Sequence, residues 1–398
     1  MIFTIDKNDF QDALALTGRL AGASLVPEAR VRIADGKMAV TATNLGLELT
    51  AKVPVEQQDA EDGEFYVGDA KVLMAATEEL PDGKIRVSAG QVSLTIDWPA
   101  GSCTLPAVRE MAFPPGLHIG ETPEKPIRHV TVPAEALVRA LKTALPFLAE
   151  DQVIPVLGSV LFDMDGKGKV TIVGTDRQVL VTYGMESENG PQEEFKFLLP
   201  MAAAAMLVRI LDKKTVEEIG NVILHCDGVI ASVSLPKYDL VTRCLDVPYP
   251  PYRTLVDTAK TDHVLGLKRT DLVSTIRRVA AMTGSRDEKD VLVFDLKKDG
   301  DTMMVSAQSV TEQSTIRENV ACHWDGPDMK IGFHIHRILE LASGASGENV
   351  TIGILRPNKA ATFTSDGDGA ARSIVMPCPF QEFVETTPKK RKKAEKGA

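Results

Sequence analysis

What this 398-residue chain lacks narrows its function before any motif is considered. No apolar run approaches the roughly 18 residues of a membrane-spanning helix, so no membrane partner is expected. A charged pair, Asp6-Lys7, interrupts the N-terminus before a signal-peptide core could form. Only five cysteines occur (Cys103, Cys226, Cys244, Cys322 and Cys378), scattered and without a Cys-x-x-Cys pair. They predict reduced thiols in a cytoplasmic protein, and neither a disulfide framework nor a zinc site.

Catalytic signatures are equally scarce. There is no dinucleotide-binding glycine fingerprint, no P-loop, no zincin helix motif and no nucleophile elbow. His334-x-His336 could set two imidazoles on one face, but it opens a helical segment and predicts a surface or capping role. Asp366-Gly367-Asp368-Gly369 lacks the third acidic ligand and closing Glu of a calcium loop, and predicts a hairpin turn. Asp163 and Asp165 flank a similar turn at Gly166-Lys167-Gly168. No acid–base pair recurs along the chain. The expectation is a scaffold, with no cofactor, no metal and no enzymatic activity.

What is present is one pattern written three times. In residues 128–148, Val130 and Val132 share a strand face, and Pro133 stands at a helix start, where a missing N–H costs little. Leu137, Leu141, Ala144, Leu145 and Leu148 then recur at helical spacing, while Glu135, Arg139 and Lys142 point elsewhere. Phe3, Ile5, Phe10 and Leu14 fall on the places of Val130, Val132, Leu137 and Leu141. So do Leu265, Leu267, Leu272 and Ile276.

The rest of each third follows suit. An apolar run ending in a small polar cluster leads to a second strand-then-helix and an alternating strand. Leu105-Pro106 matches Leu235-Pro236. The copies close on Phe113-Pro114-Pro115, Tyr249-Pro250-Pro251 and Met376-Pro377-Cys378-Pro379. Three domains of about 125 residues are expected, an ordinary domain size, over 1–126, 127–258 and 259–382. Linkers rich in proline occupy 113–126 and 246–261. Residues 383–398 form a polar, then basic, tail, expected to be disordered from about Glu385.

The net charge of −10 hides an asymmetry. The last eleven residues carry six basic side chains and one Glu, or +5, so the body carries −15. A generic nucleic-acid binder is basic overall, so contact with nucleic acid here would be local or weak.

Four strings, in this order and spacing, resemble the bacterial sliding clamp family, the beta subunit of DNA polymerase III. They are Leu157-Gly158-Ser159-Val160-Leu161-Phe162, Val173-Gly174-Thr175-Asp176, Tyr249-Pro250-Pro251-Tyr252-Arg253 and Ile374-Val375-Met376-Pro377. The resemblance spans residues 1 to about 380. It implies an α+β fold of three clamp domains, each with two helices backed by antiparallel sheets. Two such chains would join head to tail as a homodimer, a six-domain ring around double-stranded DNA.

The resemblance also implies a groove where the polymerase III alpha subunit, the clamp loader and other clamp-motif proteins dock. That groove would take Leu157, Thr175, Asp176, Arg177, Gln178, Leu180, Pro250, Thr254, Leu255, Ala360, Ile374, Val375, Met376, Pro377 and Cys378. Arg139, Lys142, Arg209, Lys213, Arg277 and Arg278 would face DNA, or else form a solvated helix face. Size supports the dimer independently. A domain of this length is ~35 Å across, so three in a ring leave a hole of about 5 Å and six leave about 35 Å. One chain supplies three, and a two-fold dimer is the simplest closure.

Departures from the family concern polar rims. Its Gly-His-Arg after Thr-Asp is Arg177-Gln178-Val179 here, and its second Arg after Pro-x-Tyr is Thr254. The loop after the first helix has Gly22-Ala23-Ser24 where the family has a DNA-contacting Arg. The equivalent loop in the second copy carries Glu150 and Asp151. Asp12 and Ala15 take the places of Arg139 and Lys142. Small residues at Ala281-Met282 and 100–102 predict a looser dimer. The basic stretch 389–393 is expected to add DNA affinity or screen the groove. Two other readings stay open: a docking protein that gathers peptides without encircling DNA, and an enzyme of unrecognised type.

Overall fold

The computed structural model describes residues 1–56, 62–120, 125–149, 153–282, 290–308 and 315–380. Glu150, Asp151 and the expected basic tail lie outside these described residues. The same order of elements occurs three times. The first copy runs β1 (Ile2–Asp6), α1 (Lys7–Gly22), β2 (Ala29–Ala34), β3 (Lys37–Thr43), β4 (Leu47–Pro54), β5 (Gly63–Val67) and α2 (Ala70–Glu78). It closes with β6 (Lys84–Ala89), β7 (Ser93–Trp98) and β8 (Gly101–Val108).

The second copy runs β9 (Arg128–Pro133), α3 (Ala134–Ala144), β10 (Ser159–Asp165), β11 (Lys169–Thr175), β12 (Val179–Glu186), β13 (Glu194–Pro200) and α4 (Met201–Ile210). A short α5 (Lys213–Ile219) precedes β14 (Asn221–Cys226), β15 (Ile230–Ser234) and β16 (Tyr238–Arg243). After α6 (Tyr252–Thr258), the third copy opens with β17 (His263–Lys268), α7 (Arg269–Met282), β18 (Val291–Leu296), β19 (Thr302–Gln308) and β20 (Thr315–Ala321). It continues with β21 (His323–Trp324), β22 (Met329–His334), α8 (Ile335–Gly344), β23 (Asn349–Ile354), β24 (Ala361–Ser365) and β25 (Ala371–Val375).

The repeated apolar positions explain why each copy folds alike. Phe3, Ile5, Phe10 and Leu14, with their counterparts Val130, Val132, Leu137 and Leu141 and Leu265, Leu267, Leu272 and Ile276, are all at most 5% exposed. Period-2 residues on the strand and period-3.6 residues on the helix thus meet in one core, which fixes the helix against its sheet. In each copy the two main helices pack on each other, α1 on α2, α3 on α4 and α7 on α8.

The chain divides into two compact units. The first is Met1–Asp176 with Val181–Pro250; the second is Arg177–Leu180 with the described residues from Pro251 onward. In the first unit a twelve-stranded sheet runs β1-β6-β7-β8-β5-β2-β3-β4-β16-β15-β14-β9. Its β4–β16 ladder, Tyr238 opposite Ala51 through Thr242 opposite Leu47, joins the first two copies edge to edge. Lys52 and Asp239 reinforce the seam at 2.8 Å. Strands β13-β10-β11-β12 stand apart from it. In the second unit β25-β24-β23-β17-β21 form one run and β20-β19-β18-β22 another.

Several expectations are corrected. Helix α3 stops at Ala144 and continues as a 3-10 turn, Leu145–Phe147, because Pro146 has no N–H for another helical turn. Leu145 and Leu148 are therefore only half-buried. Leu105-Pro106 lies inside β8, whereas Leu235-Pro236 lies in the turn before β16, so the two are not equivalent. The span 246–261 is not all linker, since it contains α6. Asp163 is a buried strand residue facing Lys196 at 3.6 Å. Asp165 alone braces the turn, accepting the Lys167 and Lys169 N–H groups at 2.8 and 3.0 Å.

The linker 113–126 is anchored in its described part. Phe113 packs on Tyr66, and Leu117 is buried. The Gly120 N–H donates to Asp227 of the second copy at 2.9 Å.

Candidate functional site

The residues expected to form the groove are best followed unit by unit. In the first unit, Leu157 sits in a 3-10 turn, Pro155–Gly158, and is 2% exposed. Thr175 ends β11, and Asp176 follows it; both are buried, while Pro250 is exposed. Gly174 has a packing reason. A Cβ there would lie 3.1 Å from the Cβ and carbonyl O of Ala144 and from Leu148 Cδ2, so a side chain would crowd the end of α3 where it rests on β11.

In the second unit, the segment Arg177–Leu180 lies along the exit of β25, where the Met376 N–H donates to the Gln178 carbonyl at 2.8 Å. Arg177 is exposed and holds φ at 75°, the left-handed region that favours glycine. The remaining residues differ in exposure. Leu180, Ile374, Val375 and Cys378 are buried. Leu255 at 40% and Met376 at 38% stay exposed, beside half-buried Ala360 and Pro377 and exposed Thr254. Burial pushes the Cys378 thiol up, and its N–H donates to the Gly332 carbonyl at 2.7 Å. The second unit thus leaves a leucine and a methionine exposed to solvent among the residues expected for the groove.

The six basic residues differ in availability. Lys142 on α3, Arg209 on α4 and Arg277 on α7 are exposed, without an ion pair or side-chain hydrogen bond among the described residues. Arg139 donates to Glu135 at 3.2 Å, and Lys213 sits 3.8 Å from Glu217, both exposed pairs of small worth. Arg278 is committed. Its Nε donates to Glu318 Oε2 at 3.1 Å, its Nη2 donates to Glu318 Oε1, and Nη2 also donates to Thr275 Oγ1 at 3.1 Å. The Arg278 hydrogen bond holds the Glu318 carboxyl below the usual carboxylate range.

Sequence reasoning missed two further basic groups. Arg269, Val273 and Arg277 form one stripe on α7, and with Thr270, Ser274 and Ser343 they line a cavity of about 440 Å³. Four-residue spacing on that helix was the available signal. Arg19, exposed in the last turn of α1, stands three residues before the Gly22-Ala23-Ser24 loop. Among the described residues no cluster of three or more potential metal ligands occurs, and no helix is long and apolar enough to cross a membrane. His334 is the N-cap residue of α8, and Asp366 and Asp368 sit in the β24–β25 hairpin turn.

Several known proteins are similar to this chain. The family model described as DNA polymerase III beta subunit, N-terminal domain, matches residues 128–221. It therefore falls on the second copy, as a threefold repeat of one domain permits. The beta sliding clamp of Vibrio cholerae is 23% identical over 95% of this chain and 99% of its own length. That of Streptomyces coelicolor is 22% identical over 85% of this chain and 88% of its own length.

The chain is similar to bacterial beta sliding clamps along nearly its full length. Solved clamps share its fold. A DNA polymerase sliding clamp from Pseudomonas aeruginosa superposes with a TM-score of 0.85 at 20% identity, covering 96% of this chain and 100% of that one. The DNA polymerase III beta subunit from Thermotoga maritima gives 0.83 at 19% identity with the same coverage.

Proposed function

We infer that this protein is a DNA sliding clamp, a non-catalytic processivity factor that holds duplex DNA by enclosure and tethers a polymerase to it. The observation that carries this reading is the threefold repeat of one core along a chain similar to beta sliding clamps over nearly its full length. On this reading the domains are 1–126, 127–258 and 259–382, with 383–398 as a tail. A second copy closes a six-domain ring in the bacterial cytoplasm. A ring that must slide gains from weak phosphate contact, and a body of −15 with a few free basic groups such as Lys142, Arg209 and Arg277 suits that demand.

Peptides of the polymerase III alpha subunit and of the clamp loader would seat their apolar side chains against Leu255 and Met376. No cofactor is required. The deciding experiment loads the protein onto a nicked circular plasmid and follows it by gel filtration. Retention on the circle and release after the plasmid is cut supports enclosure; equal loss from circle and linear duplex overturns it. Leu255→Asp with Met376→Asp is expected to abolish capture of a clamp-motif peptide by this protein while leaving retention on circles intact.

A further inference from the structure

Cys226 ends β14, and Cys244 follows β16, with β15 between them in the sheet. Their Sγ atoms lie 3.8 Å apart. No other cysteine has a thiol partner among the described residues. Hydrogen bonds shape the turn beside the pair. The Cys244 N–H donates to the Val229 carbonyl at 2.7 Å. The Asp227 carboxylate accepts the Val229 and Ile230 N–H groups at 2.8 and 2.7 Å. Closing from 3.8 Å to the ~2.0 Å of an S–S bond takes about 2 Å of sulfur movement, and because β15 separates the two strands it also requires the backbone at their ends to draw together.

The chemistry favours reaction as well. The hydrogen bond shared with the Cys244 thiol and, at 3.2 Å, the Gly228 N–H donating to Cys226 Sγ draw the Cys226 thiol below its usual range against the opposing cost of burial. A thiol inclined to ionise is the better nucleophile. Cys226 is 2% exposed, but Cys244 is half-buried and gives a small oxidant a way in.

We propose that Cys226 and Cys244 form a reversible intrachain disulfide when the protein meets a hydroperoxide. One sulfur, as thiolate, attacks the outer peroxide oxygen; the O–O bond breaks, and the departing alkoxide takes up the thiol proton. The resulting sulfenic acid is attacked by the second sulfur, which forms the S–S bond and expels the hydroxyl as water with the second thiol proton. Two thiols and one hydroperoxide thus yield one disulfide, one alcohol (water, from hydrogen peroxide) and one water. A dithiol reverses the reaction. The covalent loop 226–244 encloses β15 and β16, and β16 is the strand paired to β4. Oxidation therefore stiffens the seam between the first two copies.

The test treats the full-length chain with hydrogen peroxide, blocks remaining thiols by alkylation and maps the peptides by mass. The expected product is a Cys226–Cys244 linked peptide that dithiothreitol releases, present also in Cys322→Ser and absent in Cys244→Ser. The thermal midpoint of the oxidised wild type is expected to rise by roughly 5 °C. Both thiols remaining alkylatable, oxidation to sulfinic acid without a link, or a link between two chains on a non-reducing gel would each overturn the proposal. A linked peptide with an unmoved midpoint would overturn the stiffening. The wild-type map decides the first question even if Cys244→Ser folds poorly.

Discussion

Leu45 holds φ at 73° in the turn between β3 and β4 and is 53% exposed. Asn44 carries the turn, its Oδ1 accepting the Gly46 and Leu47 N–H groups at 3.1 and 2.7 Å. An L-residue pays roughly 1–2 kcal/mol in that conformation, and glycine does not. Leu45→Gly is expected to stabilise the protein by about 1 kcal/mol, read as a higher urea midpoint. A lower midpoint would show that the exposed leucine makes packing interactions worth more than the strain.

Glu48 presents an electrostatic counterpart. It is 9% exposed on β4, and burial raises its pKa, only partly offset by Arg30, the Leu117 N–H and His118. A carboxyl with a raised folded pKa binds its proton more tightly in the folded state. Stability should therefore fall as pH climbs from the unfolded value near ~4.3 through the raised folded value. Glu48→Gln is expected to gain stability at pH 7 and to lose that advantage by about pH 4, in paired denaturation curves. An advantage independent of pH would refute this account.

At the scale of elements, the helix that opens each copy is held by the same two layers of side chains. Leu14, Leu141 and Ile276 are each fully buried at equivalent places on α1, α3 and α7. Truncating any of them to Ala is expected to cost about 2–5 kcal/mol, through reduced burial and the cavity left behind. Thermal unfolding of the three variants should show comparable losses. A near-neutral effect at one position would mean that its copy packs differently. These helices and their strands were legible in the sequence because period and burial agree, as they do for Leu137 and Val132. The boundary of α3 was less legible. Leu145 and Leu148 continue the helical spacing, and only Pro146 ends the helix. Helix α6 was missed because Pro250 and Pro251 precede it and its exposed side chains leave almost no apolar stripe.

For the whole molecule, charge distribution governs behaviour. If Lys142, Arg209 and Arg277 meet phosphates, removing all three should weaken equilibrium binding to linear duplex. It should also flatten the salt dependence by roughly 0.9 in log–log slope for each phosphate no longer neutralised. Retention on closed circles should survive, because enclosure does not depend on those charges. A fluorescence titration over several salt concentrations checks the first, and gel filtration on circles the second. The small residues Ala281 and 100–102 and the 59%-exposed Met282 suggest a dimer that dissociates on dilution. Sedimentation that shows a dimer persisting at nanomolar concentration would exclude it.

By itself the sequence determined the threefold repeat, the twelve core positions and the resemblance to sliding clamps, because hydrophobic period and order of elements are properties of the chain alone. It also offered candidate groove residues by resemblance, among them Arg177, which holds φ at 75°. Tertiary structure alone decided what depends on partners distant in the chain. Glu318, forty residues away from Arg278, turns that arginine into an ion-paired group, while Arg277 beside it stays free among the described residues. Asp163 became a buried strand residue only through pairing with β13. Cys226 and Cys244 looked like scattered thiols until the sheet brought their sulfurs together. Periodicity reports which face a residue takes; only folding reports what stands opposite it.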